Sequence, residues 1–104
     1  MNTLKFNKKY YEAIASGKKT QTMRNKNKRL RVDETIRAVF PGTDKELTIR
    51  ITNTGYKQFK YLNDEDAELE GFDNLEELKN DLLDIYPLMD FMTRLWWYQF
   101  ELIK

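Results

Sequence analysis

An α+β fold is predicted for this chain: a small barrel-like β-sheet of about five or six strands with two or three helices, forming one domain over residues 1–104. Several short segments alternate apolar and polar residues with the period of two that marks a half-buried strand, and one carries a capped apolar stripe with helical spacing. Strands and helices do not alternate regularly enough for a doubly wound parallel sheet. With 40% apolar and 13% aromatic side chains the chain can bury one modest core, and no internal repeat or Pro/Gly/Ser-rich linker divides it.

Leu4 and Phe6 alternate with polar neighbours as in a short first strand. Asn7 then offers a cap to a helix carrying Tyr10, Tyr11 and Ile14 on adjacent turns, which Gly17 closes. Residues 20–24 (TQTMR) have strand propensity, whereas 25–31 hold too much charge and too little apolar content to be anything but exposed loop. Ile36, Ala38 and Phe40 give an inward face to a strand over 35–40, ended by the Pro41-Gly42 turn. Its hairpin partner over 47–53 turns Leu47, Ile49 and Ile51 inward. Residues 56–62 read as a further strand. Asp73 as N-cap, Glu76 as its capping-box partner, a stripe of Leu75, Leu78, Leu82 and Ile85, and a stop at Pro87 specify a helix. The last segment, 95–103, sets Trp96, Tyr98, Phe100 and Leu102 against Leu95, Trp97 and Gln99, which suits a central strand buried on one face and partly on the other. Trp96 and Trp97 invite a base-stacking role, yet such a strand places at least one of them in the core.

The chain has no Cys and no His. Disulfides, thiolate nucleophiles, thiolate metal sites and every His-dependent triad are therefore excluded within one chain. Catalysis is left to Lys, Asp, Glu, Tyr, Ser, Thr or a hard metal held by oxygens. Net charge is +1, but the charge is divided: 15 Lys and Arg against 5 Asp and Glu up to Lys60, then 3 against 12 from Tyr61 onward. Such a split implies either a dipolar molecule or two arms of opposite sign facing each other across a cleft. No apolar run approaches the length of a bilayer span and the first residues lack the apolar core of a secretory signal, so a cytoplasmic protein is expected.

Neither a dinucleotide fingerprint, a phosphate-binding P-loop nor a calcium loop is present. The acidic run DEDAELEGF has oxygens enough for a hard cation, but its spacing matches no such loop and a solvated helix start accounts for it. Neither metal nor cofactor is expected. Residues 17–24, GKKTQTMR, crowd three cations and two hydroxyls directly behind a helix-ending glycine. Taken by themselves they describe an exposed edge strand.

Taken with the rest of the chain they resemble a known family. LxF at 4–6, YxEAI at 10–14, SGKKTxTxR at 16–24, AELEGF at 67–72, the helix ending LEELKNDLLDIYP at 75–87 and the aromatic last strand are together similar to the ASCH domain, a small barrel related to the PUA fold. Where that family usually carries Gly-Asp after its basic loop this chain has Asp33-Glu34, and Asp tolerates a left-handed backbone well enough to keep the turn. A small single-domain bacterial group within the family hydrolyses N4-acylated cytidines. The resemblance implies Thr22 as nucleophile, Lys19 as proton acceptor and Glu70 as proton donor, with Lys18, Arg24 and Tyr86 binding substrate. A lysine acts as base only when its pKa is pulled down, as neighbouring cations and partial burial do, and a glutamic acid donates near neutrality only when its pKa is raised, here by Glu68 and Asp66. Residues three apart in a straight strand face opposite ways, so Lys19 must lie in the turn ahead of the strand that holds Thr22, or a bulge must intervene. The resemblance also implies an alternative, an RNA-binding module or ribonuclease whose basic run 18–31 tracks phosphates, so the expected partner is a small nucleoside or RNA.

Overall fold

Five of the alternating segments hydrogen-bond into a single sheet in the computed structural model, which describes all of residues 1–104. The strands are β1 (Thr3–Lys5), β2 (Gln21–Arg24), β3 (Thr35–Val39), β4 (Glu46–Gln58) and β5 (Arg94–Leu102), in spatial order β1-β3-β4-β5-β2. β1 and β3 run parallel; every other pair is antiparallel. Helix α1 (Tyr11–Ala15) follows β1, while α2 (Asp64–Leu69) and α3 (Leu75–Ile85) fill the connection from β4 to β5. No helix is long and apolar enough to cross a membrane.

Alternation along β5 sends its side chains into two separate cores. Tyr98 and Phe100 join Leu4, Ile36, Ala38, Ile49 and Ile51 from the other strands, together with Ile14 of α1 and Leu30 of the basic loop. Leu95 belongs with Met23, Leu78 and Leu82 beneath α2 and α3. Trp96 packs half-buried against the first core and Trp97 against the second, so both tryptophans are structural. Directly opposite Trp97 in the ladder stands Gly55, over which the indole lies. A Cβ built there would sit 2.3 Å from Trp97 Cζ2, closer than any real contact. Gly55→Ala is therefore expected to cost about 1–3 kcal/mol through displacement of the ring. Urea unfolding together with the tryptophan emission maximum checks this, and unchanged values of both would contradict the packing.

The closed barrel expected from the sequence is not formed. The sheet wraps the first core but stays open, because β1 and β2 at its two edges share no backbone pairing. Side chains cross the gap instead: the Arg24 guanidinium carbon lies 4.8 Å from the centre of the Phe6 ring. Three local expectations also shift. The strand predicted over 56–62 is the end of β4, which stops at Gln58 and gives way to a 3-10 turn at Phe59–Tyr61. The long helix α3 is capped by Asn74, whose side chain accepts from the Glu77 backbone N–H, and not by Asp73 with Glu76. The acidic run forms a helix of its own, α2, entered through a complete capping box between Asn63 and Asp66. Asp33 adopts φ 71°, the left-handed turn that the Asp33-Glu34 pair was expected to preserve.

Candidate active site

The open seam between the two edge strands is where the predicted residues meet. A cavity of about 170 Å³ there is walled by Lys5 and Phe6 from the end of β1, Thr22 and Arg24 from β2, Lys19 and Glu70, and Tyr86 at the end of α3. Edge strands left unpaired by an incomplete closure thus become the two lips of a cleft, and α3 lies across one end.

Local backbone chemistry brings Lys19 and Glu70 together. Gly17, at φ +83°, ends α1 in the left-handed region, and Lys19 then donates its backbone N–H to Ala13 O while Thr20 donates to Leu69 O. Lys19 consequently precedes β2, as the opposite-facing geometry of a straight strand required. Glu70 is the C-cap of α2, and Gly71 behind it closes a Schellman motif: Gly71 N–H to Glu68 O and Phe72 N–H to Ala67 O. Gly71 has φ +90°, and a Cβ on it would meet Lys19 Cβ at 3.3 Å. The glycine is needed both for the turn and for the close approach of the two segments.

Lys19 Nζ donates to Glu70 Oε1 at 2.9 Å, with both side chains 4% exposed. Glu70 Oε2 has no hydrogen-bond partner. Burial pushes the Glu70 carboxyl above its ordinary pKa, and the adjacent Lys19 opposes that push without cancelling it. The cause differs from the one expected: Asp66 makes only a minor contribution, and Glu68 is exposed. Asp66 has other work, since it is buried and accepts from Gln21 Nε2, Lys57 Nζ and the Asn63 N–H, bracing α2 against β2 and β4.

Thr22 is buried in the middle of β2, and its Oγ1 accepts from Arg24 Nε at 3.1 Å, two residues along the same face. Burial lowers the Arg24 pKa, countered chiefly by Tyr86 and Glu70. Tyr86 lines the cavity as expected, whereas Lys18 is exposed and contributes nothing to its wall. Tyr10 and Asp81 are among the lining residues that lay outside the sequence expectation. Tyr10 OH donates to Asp81 Oδ2 of α3 at 2.5 Å, and its ring centre lies 5.1 Å from Lys19 Nζ. Burial first, then that hydrogen bond, pushes the Tyr10 phenol well above its usual pKa, so it stays a neutral wall behind the lysine. Tyr10 was visible only as part of a helical stripe, and no local signal joined it to Asp81 across 71 residues.

No protein-family model matches the chain, and no curated protein matches it. Solved structures do match in fold. Protein EF3133 from Enterococcus faecalis, of the DUF984 group, superposes with TM-score 0.77 at 17% identity over 99% of this chain and 76% of that one. An ASCH domain from Lactobacillus crispatus gives 0.76 at 15% identity over 97% and 78%, and the hypothetical protein PH0355 gives 0.70 at 21% over 97% of both chains. At these identities the likeness concerns backbone architecture, and the architecture of this chain is that of an ASCH domain.

Proposed function

We propose that the protein is an amidohydrolase acting on N4-acylated cytosine nucleosides. One observation carries the reading: a lysine, a hydroxyl and a glutamic acid, all buried and drawn from segments 51 residues apart, line a single cavity. Such a cluster is costly to bury, and burial is what gives the groups reactive protonation states.

The Lys19–Glu70 pair has two forms of equal net charge, ammonium with carboxylate and amine with carboxylic acid, related by one proton moving along their hydrogen bond. The second is the form that reacts, and burial, which raises the Glu70 pKa, brings its carboxylic acid within reach. In that form Lys19 takes the Thr22 hydroxyl proton while Oγ1 attacks the acyl carbon, and Glu70 delivers its proton to N4 as the C–N bond breaks. Cytidine leaves and the acyl group remains on Thr22. A proton returning from Lys19 to Glu70 restores the amine and the carboxylic acid, and the same return after deacylation closes the cycle. Water then attacks the ester, yielding a proton to Lys19, while Glu70 reprotonates Thr22 Oγ1 and the carboxylic acid departs. The Arg24 Nε–H, already on Oγ1, stabilises the charge that gathers on that oxygen. At about 170 Å³ the cavity is smaller than the roughly 300 Å³ at which enclosed ligand pockets begin, so it takes the acylated edge of the base and leaves the ribose outside. Tyr86 supplies an aromatic ring to the base.

Cytidine release from N4-acetylcytidine tests the reading. Lys19→Met and Glu70→Gln are each expected to reduce kcat/KM by about a hundredfold or more. Their double variant should be little worse than the poorer single one, since the two act as a unit. Wild-type protein without activity, or variants that all retain it, would overturn the proposal.

A further inference from the structure

The catalytic cavity continues along the seam into a second depression of about 300 Å³, and the two share Lys5 and Arg24 as a common wall. Lys28, from the loop after β2, and Asn2 and Thr3, from the start of the chain, complete the far side. Its wall contains three cations and no carboxylate. None of the three takes part in an ion pair, although six such pairs are formed elsewhere in the molecule. Arg24 is the most telling of them. It is largely withdrawn from solvent, its Nε is committed to Thr22, and its terminal nitrogens have no hydrogen-bond partner in the protein. The carboxylate that contacts Asn2 is Glu34, which accepts from the Asn2 side chain and from the Arg31 backbone N–H.

A partly buried guanidinium outside every ion pair of the protein, flanked by two exposed ammonium groups, has the charge and geometry to hold an anion. The fork of an arginine and the point charges of two lysines match the several oxygens of a phosphate better than the two of a carboxylate. Its position decides what bears the phosphate. The groove adjoins the cavity that takes the base, on the side where the ribose must emerge. We propose that this groove binds the phosphate of a mononucleotide, so that N4-acylated cytidine monophosphate is bound in preference to the free nucleoside. The inference rests on the amidohydrolase reading for the acyl group, but the phosphate site stands on the groove itself. A mononucleotide is favoured over RNA because Asp81 lines the opposite wall of the cavity and the half of the chain beyond Tyr61 is strongly acidic, which repels a backbone running on past the site.

Amide and side-chain resonances of the ¹⁵N-labelled protein, followed by NMR, provide the test. Inorganic phosphate alone should shift the Arg24 Nε–H and Lys28 N–H signals, and the shifts should shrink as salt is added. Cytidine monophosphate should bind about tenfold or more tightly than cytidine, and Lys5→Gln with Lys28→Gln should bring that ratio toward one. Phosphate that leaves both signals unmoved overturns the site, as does equal affinity for nucleotide and nucleoside. An N4-acetylated oligoribonucleotide that binds more tightly than the monophosphate, with the same dependence on Lys5 and Lys28, overturns the mononucleotide in favour of RNA. If cytidine monophosphate binds as expected but its N4-acetyl derivative is not hydrolysed, the phosphate site survives and the amidohydrolase reading falls.

Discussion

Lys19→Met is expected to lower stability by about 3–5 kcal/mol at neutral pH, the cost of leaving one member of a buried ion pair alone. The partner left behind is Glu70, fully withdrawn from water with Oε2 already unpartnered. Its carboxyl pKa is raised even beside Lys19, and removing the ammonium takes away the largest influence that opposes burial. The folded variant then keeps a proton on Glu70 at pH values where the unfolded chain, with an ordinary carboxyl near 4.5, has lost it. Unfolding releases that proton, so stability falls as pH rises from the unfolded value through the folded one, by up to about 1.4 kcal/mol per pH unit. The wild type should show the same sign with a smaller slope. Lys19→Met combined with Glu70→Leu removes both charges and should recover most of the lost stability, because a buried pair is generally worth little more than apolar side chains of its volume. Activity should not recover with it. Urea unfolding of the three proteins between pH 5 and 8 checks the claim, and a single variant as stable as wild type across that range would refute the burial of the pair.

The periodicity of the strands was legible because each has one face in a core. Ile36, Ala38, Ile49 and Ile51 are inward as their spacing requires, and the 95–103 segment is buried on one face and partly on the other, because its Leu95 end meets the second core while Glu101 and Ile103 are exposed. Closure of the sheet was not legible. It depends on whether β1, three residues long, and β2, four, reach one another across the core, and no local pattern states that. Lys5 and Arg24 at those edges are in retrospect a sign of separation, since charged side chains discourage edge pairing. Helix α2 was legible only as an acidic helix start: six residues of mostly acidic chain carry too little apolar stripe to mark a separate helix, although Asn63, Asp66 and Gly71 spell out both of its ends.

At the site, residue chemistry alone described an edge strand, and only the resemblance singled out Lys19, Thr22 and Glu70. The placement of Lys19 ahead of β2 followed from strand geometry and holds. The reason for the Glu70 shift did not follow, because acidic neighbours in sequence are not neighbours on a helix surface: Glu68, two positions back, points elsewhere, and burial does what proximity was expected to do. The Tyr10–Asp81 contact and the Lys5–Arg24–Lys28 groove arise from the meeting of distant segments, for which one sequence contains no signal.

Thr22→Val should abolish hydrolysis of N4-acetylcytidine by about a thousandfold or more, roughly 4 kcal/mol of barrier, while the protein stays folded. Valine has the shape and strand preference of threonine, so β2 and its pairing with Tyr98 persist. What disappears is Oγ1, and with it one hydrogen bond from Arg24 worth about 1–2 kcal/mol. Thr22→Ser keeps the oxygen but loses the methyl that restricts χ1, and is expected to retain between about a tenth and a hundredth of the rate. If Thr22 is acylated during turnover, rapid quenching followed by mass spectrometry should find one acetyl group on the peptide containing residues 20–24 in the wild type and none in Thr22→Val. Substantial activity in Thr22→Val would mean that water attacks the amide directly with Lys19 as its base. The covalent step would then be lost, although the Lys19–Glu70 proton exchange could still drive the reaction.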